Sequence, residues 1–411
     1  MPETSPSTEG GVQEVWRREA AHVLAALLRR GDALEDCEDA AQEACLAASL
    51  QWPVDGAPSN PRGWLIRVAS RRLIDARRAD QARNRREMSD AYAAEVDRPT
   101  APATSVTDAD DSLQLLVLCC HPALTAGSAV ALTLRAVAGL STRQVADGLL
   151  IPESSAAQRI SRAKRTLREA GASFGPVPLR DLPRRLHAVR HVLHLIFTAG
   201  STLTTGPEVI DEGLTREAIR LTRRLHRAVP RDGETAGLLA LMLLVDARSS
   251  SRIVKGRLIP LPEQNRVLWD RDAIDEAVAL LERSLPEGRV GTFQLQAAIA
   301  AVHATAATFA ETDWPQIRAL YDMLGSVAPS PAVDLGAAIA VSEADGPRAG
   351  LRALEDLVRR RPRDHRVLAA RAHLLDAIGD PEAEACYRRA AALTASIPEQ
   401  IYLNDRADHC R

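Results

Sequence analysis

The residues best suited to chemistry in this chain recognise charge rather than catalyse a reaction. Between Arg67 and Arg86 there are eight arginines, Arg67, Arg71, Arg72, Arg77, Arg78, Arg83, Arg85 and Arg86, opposed only by Asp75 and Asp80. Such one-sided charge is the footprint of a polyphosphate partner, with a merely arginine-solubilised helix as the plainer alternative. A second basic cluster, Gln158, Arg159, Arg162, Lys164 and Arg165, lies further on. Upstream of both, Asp36, Asp39 and Glu43 fall at i, i+3 and i+7 with Gln42 beside them, which gathers carboxylates on one helical face. A solvated acidic face is the simpler reading of that cluster; a docking site for a basic partner is the functional one.

The elements that carry these groups are helices. Val15, His22, Leu24, Leu27 and Leu28 mark a first helix that breaks at Gly31-Asp32, and Leu34 to Leu50 forms a second, acidic one. Trp52-Pro53 through Asn60-Pro61 reads as a Pro/Gly-rich loop. The arginine helix that follows turns Trp64, Leu65, Val68, Leu73 and Ile74 inward. From about Glu87 to Asp110 apolar periodicity is lost, which predicts a linker. The stretch from Leu134 to Arg168 then reads as a helix-turn-helix. Gly139 ends one helix in a left-handed cap, Ser141 N-caps a short helix with Val145 and Leu149 on its apolar face, and Pro152 and Glu153 open a longer one. In that last helix Ala156, Ile160, Ala163 and Leu167 pack inward and the basic cluster is left outside, as expected of a major-groove reader.

Composition agrees. The 411 residues are 46% hydrophobic and only 3% aromatic, with Ala, Leu and Arg prominent, which predicts an all-α protein of two or three domains. The net charge of −2 makes nucleic-acid binding a local property rather than a global one. The N-terminal MPETSPSTEGG lacks the marks of a signal peptide and no apolar run is long enough to span a bilayer, so a cytoplasmic protein with no membrane partner is expected.

Beyond the break at Gly175-Pro176-Val177-Pro178 the chain reads as helical to its end, with Leu258 to Pro262 as a loop. Asp345-Gly346-Pro347 and Gly379-Asp380-Pro381 set two prolines 34 residues apart, the period of tetratricopeptide (TPR) repeats. Weaker copies begin at Trp314-Pro315 and Ala273. An unrelated helical bundle is the alternative to a degenerate repeat array.

Catalytic patterns are sparse. His187, His191 and His194 share a helical face, but no glutamate follows His187 as a zinc-protease motif requires and no fourth ligand is evident. Cys119-Cys120-His121 is a redox-sensor candidate, but adjacent cysteines on a helix point apart, and six cysteines without C-x-x-C spacing are expected as buried thiols. Neither a Gly-rich phosphate loop nor a nucleophile-base order stands out. The chain is expected not to be an enzyme, with no cofactor or metal.

Three motifs in order, Asp36-Cys37-Glu38-Asp39-Ala40-Ala41-Gln42-Glu43, Pro61-Arg62-Gly63-Trp64-Leu65-Ile66-Arg67-Val68-Ala69, and Gly139-Leu140-Ser141 with the helix-turn-helix, resemble the two domains of ECF-type RNA polymerase sigma factors. The resemblance covers about Val12 to Ala172. Leu118-Cys119-Cys120-His121-Pro122-Ala123-Leu124 and the long C-terminal half resemble the subgroup with a fused TPR-like extension. It implies a region 2-like domain over 12–86, a linker over 87–110, a region 4-like domain over 111–174 and a helical extension over 179–405. The implied partners are core RNA polymerase, through its β′ clamp helices and β subunit, and promoter DNA. The implied function is promoter recognition and transcription initiation. Asp36, Asp39, Gln42 and Glu43 would contact the clamp helices. Asn60, Arg71, Arg72, Asp75, Arg77 and Arg78 would open and hold the −10 element. Ser154, Ser155, Gln158, Arg159, Arg162 and Arg165 would read the −35 element. The C-terminal half would regulate the factor, by engaging a partner protein on a concave helical surface. Ala41 and Cys45 depart from the larger apolar or aromatic residues common in the family, and the recognition helix is poorer in lysine at its start. The alternative reading is a helix-turn-helix regulator whose C-terminal half senses a ligand or partner.

Overall fold

In the computed structural model the described residues are 8–30, 32–87, 108–175, 181–201, 212–254, 257–285 and 290–410. They fall into two units, Met1–Leu195 and Ile196–Arg411. Apart from one short hairpin, the regular elements among the described residues are helical, as composition predicts.

The first unit is built around α1 (Thr8–Leu28), which packs on α2 (Leu34–Asp55), α3 (Pro61–Glu87) and α4 (Asp108–Cys119). Val23, Leu24, Leu27 and Leu28 of α1 are buried. They meet a stripe of small residues on α2, Cys37, Ala41, Ala44 and Ala48, whose short side chains let the helices approach closely. The acidic helix does not stop at Leu50. It continues through Pro53 to Asp55, so the expected loop shrinks to residues 56–60. The reason is tertiary: Trp52 is buried edge-on against Trp64 of α3, ring centroids 5.4 Å apart, which holds the last turn despite the proline. Most of the expected linker, residues 88–107, lies outside the described residues; α4 begins at Asp108, slightly ahead of the expected linker end at Asp110.

The helix-turn-helix comprises α5 (Ala126–Ala136), α6 (Thr142–Gly148) and α7 (Glu153–Glu169). Gly139 has φ +71°, the left-handed cap its position demands. Ser141 accepts from the Gln144 N–H at 3.1 Å while the Gln144 side chain accepts from the Ser141 N–H at 2.9 Å, a complete capping box. Ala156, Ile160, Ala163 and Leu167 are all buried on α7. Cys119 and Cys120 are buried thiols, and burial pushes the Cys120 pKa up to about 12, so neither has the character of a reactive thiolate.

The polypeptide passes from the first unit to the second within α8 (Leu182–Ser201). On α8, His187 and His191 are exposed and His194 is half-buried. The second unit continues with α9 (Glu212–Ala228), α10 (Gly233–Asp246), α11 (Ser249–Arg252), the hairpin β1 (Ile253–Val254) and β2 (Arg257–Leu258), and α12 (Arg271–Ser284). Helix α10 is apolar all round and buried from Thr235 to Leu244, wrapped by α9, α12 and α13 (Thr292–Thr305). Next come α14 (Trp314–Val327), α15 (Pro331–Asp345), α16 (Pro347–Arg360), α17 (His365–Ala377), α18 (Glu382–Leu393) and α19 (Ile397–His409). From α14 on, each helix packs chiefly on its neighbours in sequence, the nearest-neighbour stacking of a helical repeat array. Both prolines of the 34-residue echo stand at helix starts, Pro347 inside the first turn of α16 and Pro381 as the cap of α18.

Candidate polymerase and nucleic-acid interface

Two surfaces of the first unit carry the charged clusters, and the acids of α2 divide between them. Asp36, Asp39 and Glu43 are exposed and Gln42 is half-buried. Partial burial, with Glu38, Glu35 and Asp36 nearby, raises the Asp39 carboxyl pKa, and Lys164 opposes the rise. Glu35 and Glu38 instead turn toward α5 and α7. Glu38 is buried and accepts from Arg135 Nε of α5 at 2.7 Å, with Lys164 Nζ of α7 at 2.9 Å. Arg135 also donates to the Leu140 carbonyl at 3.0 Å, so one guanidinium links α2 to the loop that precedes α6. Glu35 pairs with Arg168 at the end of α7. The acidic helix is thereby clasped to the basic helix, and Lys164, expected outside with the rest of the cluster, is largely covered. The clasp pairs residues more than 90 positions apart, so periodicity within α7 cannot reveal it.

Sequence reasoning missed a further feature of α2. Leu46, Leu50 and Val54 recur every fourth residue and are 62%, 68% and 82% exposed. They form an apolar strip that continues from the exposed acids along the same helix. The signal was present: these large side chains are out of phase with the small, buried Ala40, Ala44 and Ala48. An exposed apolar strip beside carboxylates suits a partner whose surface is apolar with a basic border.

On α3, Arg71, Arg72, Asp75, Arg77 and Arg78 are all exposed. Two of the arginines are held by carboxylates of their own unit, Arg72 by Glu43 at 3.3 Å and Arg77 by Asp32. This leaves Arg71 and Arg78 without a carboxylate partner among the described residues. The side chains of Arg83, Arg85 and Arg86 lie outside the described residues. Asn60 has a definite structural task, since its Oδ1 accepts from the Gly63 N–H at 2.9 Å and caps α3. Arg62 reaches back to α1, where its Nε donates to Glu19 at 2.6 Å.

On α7, Ser154, Gln158, Arg162 and Arg165 are exposed, and Ser155 and Arg159 half-buried. The Arg159 guanidinium rests over Gly127 at the start of α5, and Arg165 is 3.9 Å from Glu169. The exposed face of α7 thus offers hydroxyl, amide and guanidinium groups at successive turns, the donor set that meets phosphates and base edges. Among the described residues, no group of three His, Cys, Asp or Glu side chains converges as a metal site would need, and no helix is long and apolar enough to cross a membrane.

Comparison with known proteins matches these parts in order. Residues 15–83 match sigma-70 region 2, residues 114–167 match sigma-70 region 4, and residues 185–285 match a family of unknown function, DUF6596. An uncharacterized protein of Rhizobium meliloti, R00370, is 38% identical over 391 residues, 94% of this chain and 92% of its own length. The probable ECF RNA polymerase sigma factor SigI of Mycobacterium tuberculosis is 29% identical over 215 residues, half of this chain and 69% of its own. No solved structure matches.

Proposed function

The chain belongs to the ECF-type sigma-70 factors that carry a C-terminal DUF6596 region, and from that premise we propose how its surfaces divide the work of transcription initiation. Asp36, Asp39, Gln42 and Glu43, extended by Leu46, Leu50 and Val54, dock on the clamp helices of the polymerase β′ subunit. The carboxylates steer association toward a basic surface, and the apolar strip supplies the desolvated contact that slows dissociation. The loop before α3 and the exposed arginine face of that helix, with Asn60, Arg71, Arg72, Asp75, Arg77 and Arg78, hold the opened −10 element. The exposed face of α7, with Ser154, Ser155, Gln158, Arg159, Arg162 and Arg165, reads the −35 element while its domain rests on the β subunit. The observation that carries this reading is the exposed acidic and apolar band on α2, which a free-standing DNA-binding regulator does not need.

The extension from α8 to α19 regulates the factor in this reading. Truncation after Phe174 is expected to change promoter activity in cells; unchanged activity would remove the regulatory role. The wider test is run-off transcription with purified core polymerase and a promoter mapped from transcripts that rise on overproduction. A transcript that depends on the protein is expected. Specific DNA binding without a transcript would instead mark a helix-turn-helix regulator that acts without polymerase.

A further inference from the structure

The second unit holds an open cavity of about 530 Å³ between the segment after β2 and helices α13, α14, α15, α17 and α19. That volume is in the range of small-molecule sites, whose walls are mostly apolar with a few placed polar groups. The wall composition is unusual for this chain. Only thirteen residues of 411 are Phe, Tyr or Trp, yet Phe309, Trp314, Tyr321 and Tyr402 all line this one cavity. Phe309 and His303 meet Trp314 edge-on, with centroids 5.2 and 5.1 Å from it. Tyr321 packs closely on α15 at Gly336, where a Cβ would sit 2.4 Å from the phenol ring. The backbone has been kept bare to let an aromatic face form the wall.

The charges of the cavity are unequal in their partners. Glu399 is occupied, accepting from Thr394 Oγ1 at 2.6 Å and lying 3.4 Å from His365 Nε2. Glu343, at the exposed rim, makes no hydrogen bond or ion pair among the described residues. Its partial burial raises its pKa, and His373 is the charge that acts against the rise. His303 adds no opposing cation: burial, with Arg248 and Arg266 nearby, holds its pKa at about 4. Arg366 also lines the cavity but is exposed. An unpaired carboxylate at the edge of aromatic walls lacks one complement, a cation with an apolar body.

We propose that this cavity binds a small lipophilic organic cation, an amine or quaternary ammonium on an aromatic or aliphatic body, with Glu343 as its counter-ion and Trp314 and Tyr321 as its aromatic faces. The site is a property of the second unit and stands apart from the promoter reading. The test is calorimetric titration of the full chain with 2-(1-naphthyl)ethyltrimethylammonium and with its neutral isostere, in which a tert-butyl group replaces the ammonium. The cation binds at least tenfold more tightly than the isostere, and Glu343→Gln brings the two within about threefold of each other. Ile339→Trp, at a partly exposed lining position, fills the cavity and abolishes saturable binding while the circular dichroism of the chain is unchanged. Equal binding of the pair, saturable binding by neither, or a preference that survives Glu343→Gln would overturn the proposal.

Discussion

The indole N–H of Trp16 in α1 donates to the carbonyl oxygen of Gly139, 3.1 Å away across 123 positions of sequence. The bond ties the first helix to the turn that precedes α6, and Gly139 is fitted to it twice over. Its φ of +71° is strained for any residue with a Cβ, and a Cβ there would lie 3.0 Å from Ala20 Cβ and 3.2 Å from Trp16 Nε1. Trp16→Phe keeps the ring and removes the donor, which leaves a buried carbonyl unpaired at a cost of about 1–3 kcal/mol. Gly139→Ala adds strain to contact and is expected to cost more. Amide hydrogen exchange along α1 and α5 would measure both; a Gly139→Ala chain with wild-type protection would contradict this account.

The clasp between α2 and α7 sets how much of the basic helix the free protein can offer to DNA. Glu38 holds Arg135 and Lys164, and Glu35 holds Arg168, so cations of the region 4 domain are already neutralised from within. Glu35→Gln with Glu38→Gln is expected to weaken the clasp by roughly 3 kcal/mol, the lower end for breaking a buried pair. It should also raise the DNA affinity of the free chain several-fold at low salt. The dependence of log affinity on log salt should steepen by about one per cation released. DNA titrations over a range of salt concentrations decide it: an unchanged slope would mean that these acids do not compete with phosphate.

Much of the first unit was legible because its signals are local. The capping box at Ser141 and Gln144, the left-handed Gly139 and the buried face of α7 each follow from residues within a few positions of one another. What could not be read depends on distant parts of the chain. Trp64 extends α2 through Pro53, where the local pattern predicts a loop, and Glu38 covers Lys164, which periodicity assigns to solvent. Asn60 shows a different gap, since a residue type suited to base contact is equally suited to an N-cap, and only coordinates reveal that its Oδ1 serves the Gly63 N–H. The aromatic cavity of the second unit draws on residues from 258 to 403 and has no local signature at all.

The apolar strip on α2 separates binding from folding. Leu50 is 68% exposed, so Leu50→Asp is expected to change stability by no more than about 0.5 kcal/mol. If the strip is the contact proposed for core polymerase, the same substitution lowers affinity for purified core at least tenfold, mostly through faster dissociation. Arg159→Ala, on the other helix, should weaken promoter binding and leave core binding intact. Surface plasmon resonance with immobilised core polymerase distinguishes them, and a Leu50→Asp chain that binds core normally would remove the strip from the interface.

The junction of α1 and α3 predicts the response of the first unit to acid. Burial pushes the Glu19 pKa up, but the hydrogen bond and charge of Arg62 at 2.6 Å, with Arg18 at 3.1 Å, outweigh it and leave the pKa below its ordinary value of 4.5. A carboxylate whose pKa is lowered on folding contributes stability that is fully present above the unfolded value. That stability is lost as pH falls through the folded value. The pair therefore stabilises the unit at neutral pH and begins to lose that contribution below about pH 4.5, where the unfolded chain takes up the proton first. Arg62→Ala removes the cation that lowers the pKa and leaves a buried carboxylate whose burial now raises it. In that variant the folded state binds the proton at least as readily as the unfolded one, so its stability, lower than wild type at neutral pH, no longer falls through this group as pH drops. Urea denaturation monitored at α1 and α3 between pH 7 and pH 3 would show Arg62→Ala less stable than the wild type at pH 7 with the gap narrowing as pH falls below 4.5; a gap that does not change with pH would mean that Arg62 does not set the Glu19 titration.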